Sequence, residues 1–274
     1  MCNRPSDRPV SWHIAHGRPD RRRARWTHPL LRGASMKLTV VSPLLGEEFA
    51  DGVRKEVAQW AGPDTVIDVV KVERGVASIE SEYDEALAGP GILEQVALAV
   101  ERGAEGVFVT CFGDPAVHAA REIVDVPVVG GFEPAMLNAL SLGESVGVIT
   151  VLDNVVPMIR GLVRRYGLTD RCRSVRVVDL PVLALDAHEE LLERLYTEAR
   201  SVVDSGEADV IVLGCTGMIG VAAAVQARLE ADGVFVPVVD PTGAAILWLE
   251  SQIRLGVRPS RATYMPPPPK DRRM

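Results

Sequence analysis

Short Val-rich apolar runs alternate along the chain with longer stretches in which apolar positions return every three or four residues. The runs near 37–42, 66–72, 106–110, 126–129, 145–150, 174–178, 209–213 and 235–239 read as buried strands. Between them, 47–61, 92–103, 115–124, 133–142, 153–167, 187–205, 218–232 and 242–255 carry the helical period. Strand and helix in strict alternation predict an α/β fold with mainly parallel sheets and helical crossovers.

The pattern also repeats. AEGVFVTC at 104–111 lies over ADVIVLGC at 208–215, cysteine on cysteine. Each copy follows a helix ending in Gly and an acidic residue, and each leads through a Gly-containing turn and a helix to a V-P-V-V strand. Upstream of each copy another strand ends in a small hydroxyl residue, Ser42 in KLTVVS and Thr150 in SVGVIT. The expectation is two pseudo-symmetric α/β lobes, 36–134 and 135–241, with a closing helix within 242–258 packing back on the first. Ligands of open α/β sheets bind beyond the carboxyl ends of the strands, and both cysteines stand at such ends. The active site is therefore expected in the cleft between the lobes.

Composition changes the picture at the two ends. Residues 1–35 hold eight Arg and two Asp, a net +6, with no apolar period, and read as a disordered leader preceding Met36. The Pro-rich stretch 259–274, with Pro266 to Pro269, is expected to trail off. Against a total of −7, the remainder of the chain carries −13, which leaves no basic stripe for nucleic acid. No run is long and apolar enough to span a membrane. The four cysteines are scattered without CxxC spacing, so a reducing cytoplasm, and neither a disulfide framework nor a metal site, is expected.

A lone cysteine at the end of a buried strand is ordinarily a small apolar filler. Two at equivalent places in a duplicated unit form a pattern that packing does not require. Inverting a carbon that bears an acidic hydrogen takes a base on one face and an acid on the other, and a thiol can serve as either. Cys111 and Cys215 are the expected catalytic pair, and a small molecule the expected partner. Phe112, Gly113, Asp114 and Pro115 in one copy, and Thr216, Gly217 and Met218 in the other, read as strand-to-helix turns, with Asp114 as N-cap of the helix that follows. Ser42, Pro43, Phe112, Gly113, Asp114, Thr150, Thr216, Gly217 and Met218 are the expected substrate contacts. Cys2 and Cys172 have no such setting. The acidic stretch Ala77 to Glu85 reads either as a wall of the cleft or as a solvated helix start, and Glu133 either as facing the cleft or as serving a helix N-terminus.

No cofactor is expected. None of the four lysines, Lys37, Lys55, Lys71 and Lys270, lies at a Gly-rich turn suited to a pyridoxal Schiff base, and no dinucleotide or P-loop fingerprint occurs. His118 and His188 have no spaced partner for a metal.

The motifs VFVTCFGDP and VIVLGCTGM, joined by ASIESEYDEALAGPG and VPVVGG, resemble the aspartate/glutamate/hydantoin racemase superfamily over about 36–256, with the hydantoin and allantoin racemase branch as the best match. The resemblance implies cofactor-free proton transfer on a hydantoin or related ureide, with Cys111 and Cys215 in the positions of the family's two catalytic cysteines, and a homo-oligomer. It also carries binding roles to Gly113, Asp114, Thr150, Thr216 and Gly217. The branch's first strand usually ends in Asn-Pro-Asn, where this chain has Ser42, Pro43 and Leu44. With Phe132 after Gly131, that departure implies a different or more apolar substrate. Two alternatives remain at this level: an enzyme of the same fold acting on a free acidic amino acid or a dicarboxylate, and a non-catalytic small-molecule binding protein.

Overall fold

The computed structural model describes residues 35–271, so the expected leader, and Cys2 with it, lies outside the described residues except for Ser35. In chain order the first half runs β1 (Met36–Leu44), α1 (Glu47–Trp60), β2 (Thr65–Val76), α2 (Glu82–Glu101), β3 (Gly106–Val109), α3 (Val117–Ile123), β4 (Val128–Val129) and α4 (Phe132–Ala139). The second half runs β5 (Val146–Thr150), α5 (Val156–Arg165), β6 (Cys172–Val177), α6 (His188–Asp204), β7 (Val210–Leu213), α7 (Ala222–Ala231), β8 (Val238–Val239) and α8 (Pro241–Leu255). Two four-stranded sheets result, ordered β2-β1-β3-β4 and β6-β5-β7-β8, with every neighbouring pair parallel. The second sheet repeats the first with each strand moved on by four. The registers agree as well: Val41 faces Val109 and Ile149 faces Leu213, so Ser42 and Thr150 occupy equivalent strand ends.

Alternation along the central strands sets two apolar layers in the first lobe. Leu38, Val40 and Phe108 face α1 and α8, whereas Val41, Val107 and Val109 face α2 and α3. Each lobe also lends a helix to the other. Phe132, Ala135, Met136 and Ala139 of α4 join the core of the second sheet, while Ala245, Ile246, Leu249 and Ile253 of α8 join the first. This exchange, together with packing of α4 against α8, ties the halves together.

Three local departures from the sequence expectation have physical causes. Helix α2 begins at Glu82 rather than 92: Ser81 caps it, its hydroxyl accepting from the Asp84 amide at 3.2 Å, and the helix runs through Pro90. Gly91, next to Pro90, permits close contact with the sheet, since a Cβ there would overlap the Arg74 carbonyl of β2. Helix α7 begins at Ala222 rather than 218, because residues 216–221 are taken up by a turn in which Gly220 has φ of 70°. The segment after Pro259 has no regular structure, as its prolines require, but its start does not trail off. Arg261 donates to the carbonyls of Arg121 (2.8 Å) and Val124 (2.5 Å) at the end of α3 and to the Asp125 carboxylate, which satisfies acceptors a helix C-terminus leaves open. Tyr264 accepts from Arg121, itself buried and paired with Glu133.

Candidate active site

Cys111 follows β3 by two residues. Its amide donates to Val109 at 2.7 Å and its carbonyl accepts from Gly131 at 2.9 Å, so the loop entering α4 fixes its backbone. Asp114 and Ala116 then take left-handed conformations, φ 51° and 57°, which costs a non-glycine residue roughly 1–2 kcal/mol each. The buried Asp114 carboxylate offsets this strain by accepting from the amides of Phe132 (2.8 Å) and Glu133 (3.3 Å). Gly130 is required beside it, because any Cβ there would overlap that carboxylate. Asp114 is thus the cap of α4, a helix distant in sequence, and not of the helix that follows it; α3 begins only at Val117.

Cys215 stands at the equivalent point after β7. The Gly217 amide donates to its sulfur at 3.3 Å, and the Gly113 amide favours the thiolate of Cys111. The two thiols, both partly exposed, are close enough that charge on Cys215 acts on Cys111. Burial dominates their acidity. It pushes Cys215 up to about 11, against the amides of Gly217 and Met218 and with the help of the Glu80 carboxylate. It pushes Cys111 further still, opposed by the Gly113 amide and reinforced by Cys215, Glu85 and Asp114. Burial therefore favours the thiol form of both.

The lobes meet around this pair through two hydrogen bonds. The Thr216 hydroxyl donates to the Thr110 carbonyl at 3.0 Å, and the Glu80 carboxylate accepts from the Val182 amide at 2.7 Å. The Thr150 hydroxyl is used within its own lobe, on the Gly214 carbonyl at 3.0 Å. Ser42 has no such partner. Its hydroxyl and that of Thr110, on neighbouring strands, are both buried without a hydrogen bond among the described residues.

Several of the expected substrate contacts are closely packed side chains. Phe112 is 3% exposed, packed edge-on against Phe132 at 5.4 Å, and Met218 is 1% exposed in the second lobe's core. Phe132 and Leu44, the residues taken to imply a more apolar substrate, are core residues too, the first because α4 crosses to the second sheet and the second because β1 extends through it. Pro43 is buried beside the chain entering α2, its carbonyl near Gly75. Glu133 serves the buried Arg121. His118 is a packing residue against Tyr166 and Tyr264, held neutral by burial and by the Arg165 and Arg121 charges.

Sequence reasoning did not single out Met158, Leu185 or Phe49. A Cβ on Gly113 would meet the Met158 methyl at 3.6 Å and Cys111 Sγ at 3.7 Å, and one on Gly217 would meet Leu185 at 3.1 Å, Cys215 Sγ at 3.4 Å and Phe49 at 3.5 Å. These three side chains lie on unrelated helices and turns and carry no sequence signal. The acidic stretch 77–85 does carry one: Glu80 acts on Cys215, and Glu85, together with Asp114, acts on Cys111. A depression of 610 Å³ between α1 and the outer edge of β2 is lined by other residues, Arg54 and Asp68 among them. Among the described residues, no group of three His, Cys, Asp or Glu side chains is placed to hold a metal, and no helix is long and apolar enough to cross a membrane.

Comparison with known proteins identifies the family. The sequence pattern of the Asp/Glu/Hydantoin racemase family matches residues 38–248. A hydantoin racemase from Pseudomonas sp. (strain NS671) is 34% identical over 238 residues, covering 86% of this chain and 94% of that one. The solved allantoin racemase from Klebsiella pneumoniae superposes with a TM-score of 0.81 at 33% identity, covering 86% of this chain and 95% of the other. Arylmalonate decarboxylase, at 19% identity and a TM-score of 0.56 over 78% of this chain and 91% of its own, is a likeness of fold alone. Matched over most of its length by that pattern and by these two racemases, the chain belongs to the Asp/Glu/hydantoin racemase family and is an isomerase of the racemase kind.

Proposed function

We propose that this protein inverts the stereocentre of a hydantoin or a related cyclic ureide without a cofactor, using Cys111 and Cys215 as base and acid on opposite faces of the ring. The observation that carries this reading is the equivalence of the two thiols. Each ends the same strand of a duplicated lobe, each receives the amide of a glycine two residues on, and the pair are near enough to interact electrostatically.

The chemistry follows from what surrounds them. A thiolate takes the hydrogen from one face, so that the carbon–hydrogen bond breaks and a sulfur–hydrogen bond forms. The electron pair delocalises onto the adjacent ring carbonyl, and the opposite thiol returns a proton to the other face. Charge is conserved, and the thiolate has changed sides, ready for the opposite enantiomer. A ring carbonyl flanked by nitrogen acidifies the hydrogen, which suits a base that burial has made reluctant to ionise. The partnerless Ser42 and Thr110 hydroxyls are the side chains free to bond the ring oxygens, since Thr150 and Thr216 are already engaged. Two working thiols also fit a reducing compartment such as the cytoplasm.

The test is exchange in deuterium oxide, followed by NMR and optical rotation, on single enantiomers of several hydantoins, aspartate and glutamate. Wild-type protein should exchange and racemise hydantoins. Cys111→Ser and Cys215→Ser should each lose racemisation by about 10²–10⁴-fold. Each should still exchange the enantiomer whose hydrogen faces the remaining thiol, and the two variants should prefer opposite enantiomers. Exchange confined to aspartate or glutamate would move the substrate to a free amino acid, and racemisation surviving both substitutions would end the two-thiol mechanism.

A further inference from the structure

A cavity of 640 Å³ opens between α2 of the first lobe and α5 of the second, and its floor reaches the catalytic turn at Gly113. A Cβ at that glycine would lie 3.7 Å from Cys111 Sγ, so the cavity and the thiol are neighbours. Met158 and Leu162 of α5 give it an apolar wall, Glu85 of α2 projects into it half-buried, and Arg165 stands opposite at its exposed mouth. Small residues keep it open: a Cβ on Gly161 would meet nothing nearer than Arg164 Nη2 at 4.0 Å, and one on Gly89 would meet nothing within that distance.

Resting on the reading above, we propose that this cavity receives the substituent carried on the stereocentre, and that Glu85 and Arg165 select one ending in a neutral carboxamide-like group. Apolar methylenes suit the Met158 and Leu162 wall. At the far end a carboxylate is opposed by Glu85 and by the nearby Glu82, and an ammonium is opposed by Arg165. A carboxamide offers N–H groups to Glu85 and a carbonyl to Arg165, which satisfies both without placing a net charge beside the sulfur. Burial raises Glu85 from its ordinary acidity, Glu82 adds to this and Arg165 opposes it, so all three groups act on one space.

The experiment compares the hydantoins derived from alanine, glutamine and glutamate, the last two equal in size and differing in charge. Wild-type kcat/KM should favour the glutamine compound over the glutamate compound by about tenfold or more. Gly161→Leu fills the cavity and improves local helix propensity, so it should fold. It should lower kcat/KM for the glutamine compound about tenfold relative to the alanine compound. Glu85→Gln should shrink the preference for glutamine over glutamate, mainly through KM for the glutamate compound. If Gly161→Leu changes all three substrates in the same proportion, or Glu85→Gln leaves the preference intact, the assignment of the cavity is overturned while the racemase reading stands. Racemisation of none of the three by wild-type protein overturns both.

Discussion

Cys111 and Cys215 are each a small sulfur side chain, and what distinguishes them from Cys172 is their setting. Burial favours the neutral thiol, while a glycine amide aimed at the sulfur favours the thiolate, and here burial is the larger influence for both. In the proposed mechanism the active form has one thiolate and one thiol, so its population rises with pH while both are protonated. kcat/KM for a hydantoin is therefore expected to climb through pH 7 to 10 without a plateau, because the more acidic thiol titrates only near about 11. A pH–rate profile already flat at pH 7 would mean that a thiolate preexists in the free protein. The sequence pointed to both cysteines and to the acidic stretch holding Glu80 and Glu85, because those residue types in a duplicated frame are legible. It placed the Asp114 cap on the wrong helix and did not reveal that Phe112 and Met218 are packed in the core, because a turn residue looks the same in sequence whether its side chain faces a cleft or the core.

At the scale of elements, the buried Asp114 and the half-buried Asp240 hold helix starts. Asp114 caps α4 across the turn, and Asp240 caps α8 through the Gly243 amide at 2.8 Å. Beside Asp240 lies the buried Glu56 of α1, whose carboxyl acts on it by charge and through a side-chain hydrogen bond. Burial raises both aspartates to about 7, with Glu133 adding at Asp114 and Glu56 at Asp240. Their unfolded values lie near about 3.9, so the stability they contribute is full below that value and is lost as pH rises through about 7. Glu207 and Asp209 are shifted the other way, and their contribution is already complete above about pH 5. The thermal midpoint should therefore be higher at pH 5 than at pH 8. Asp240→Asn, which keeps an acceptor for Gly243 but cannot ionise, should reduce that difference and leave the share due to Asp114; a wild-type midpoint that climbs over the same range would contradict the assignment. Element types and most boundaries were readable because periodicity and β-branched runs are local properties. The start of α2 was not, since whether Gly89-Pro90 breaks a helix depends on the neighbouring strand.

The whole molecule is two copies of one lobe that exchange a helix and meet at few polar contacts. The Thr216 hydroxyl bonded to the Thr110 carbonyl joins the cysteine-bearing strand end of one lobe to that of the other. Thr216→Val preserves shape but strands a buried carbonyl, at a cost of about 1–3 kcal/mol. It should lower the urea midpoint and reduce kcat more than it changes KM, because the relative placement of the sulfurs matters most while the proton moves. Wild-type stability together with wild-type kcat would show that the contact does not set the interlobe geometry. The sequence by itself determined the α/β class, the duplication, the equivalence of the two thiols and their place at strand ends, because each is written in periodicity and spacing along one chain. Only the tertiary structure decided which hydroxyls are already engaged, which turn residues belong to the core, and that α2 and α5 enclose a charged cavity beside Cys111. Those depend on which side chains from distant segments meet, and distance in space leaves no period in the sequence.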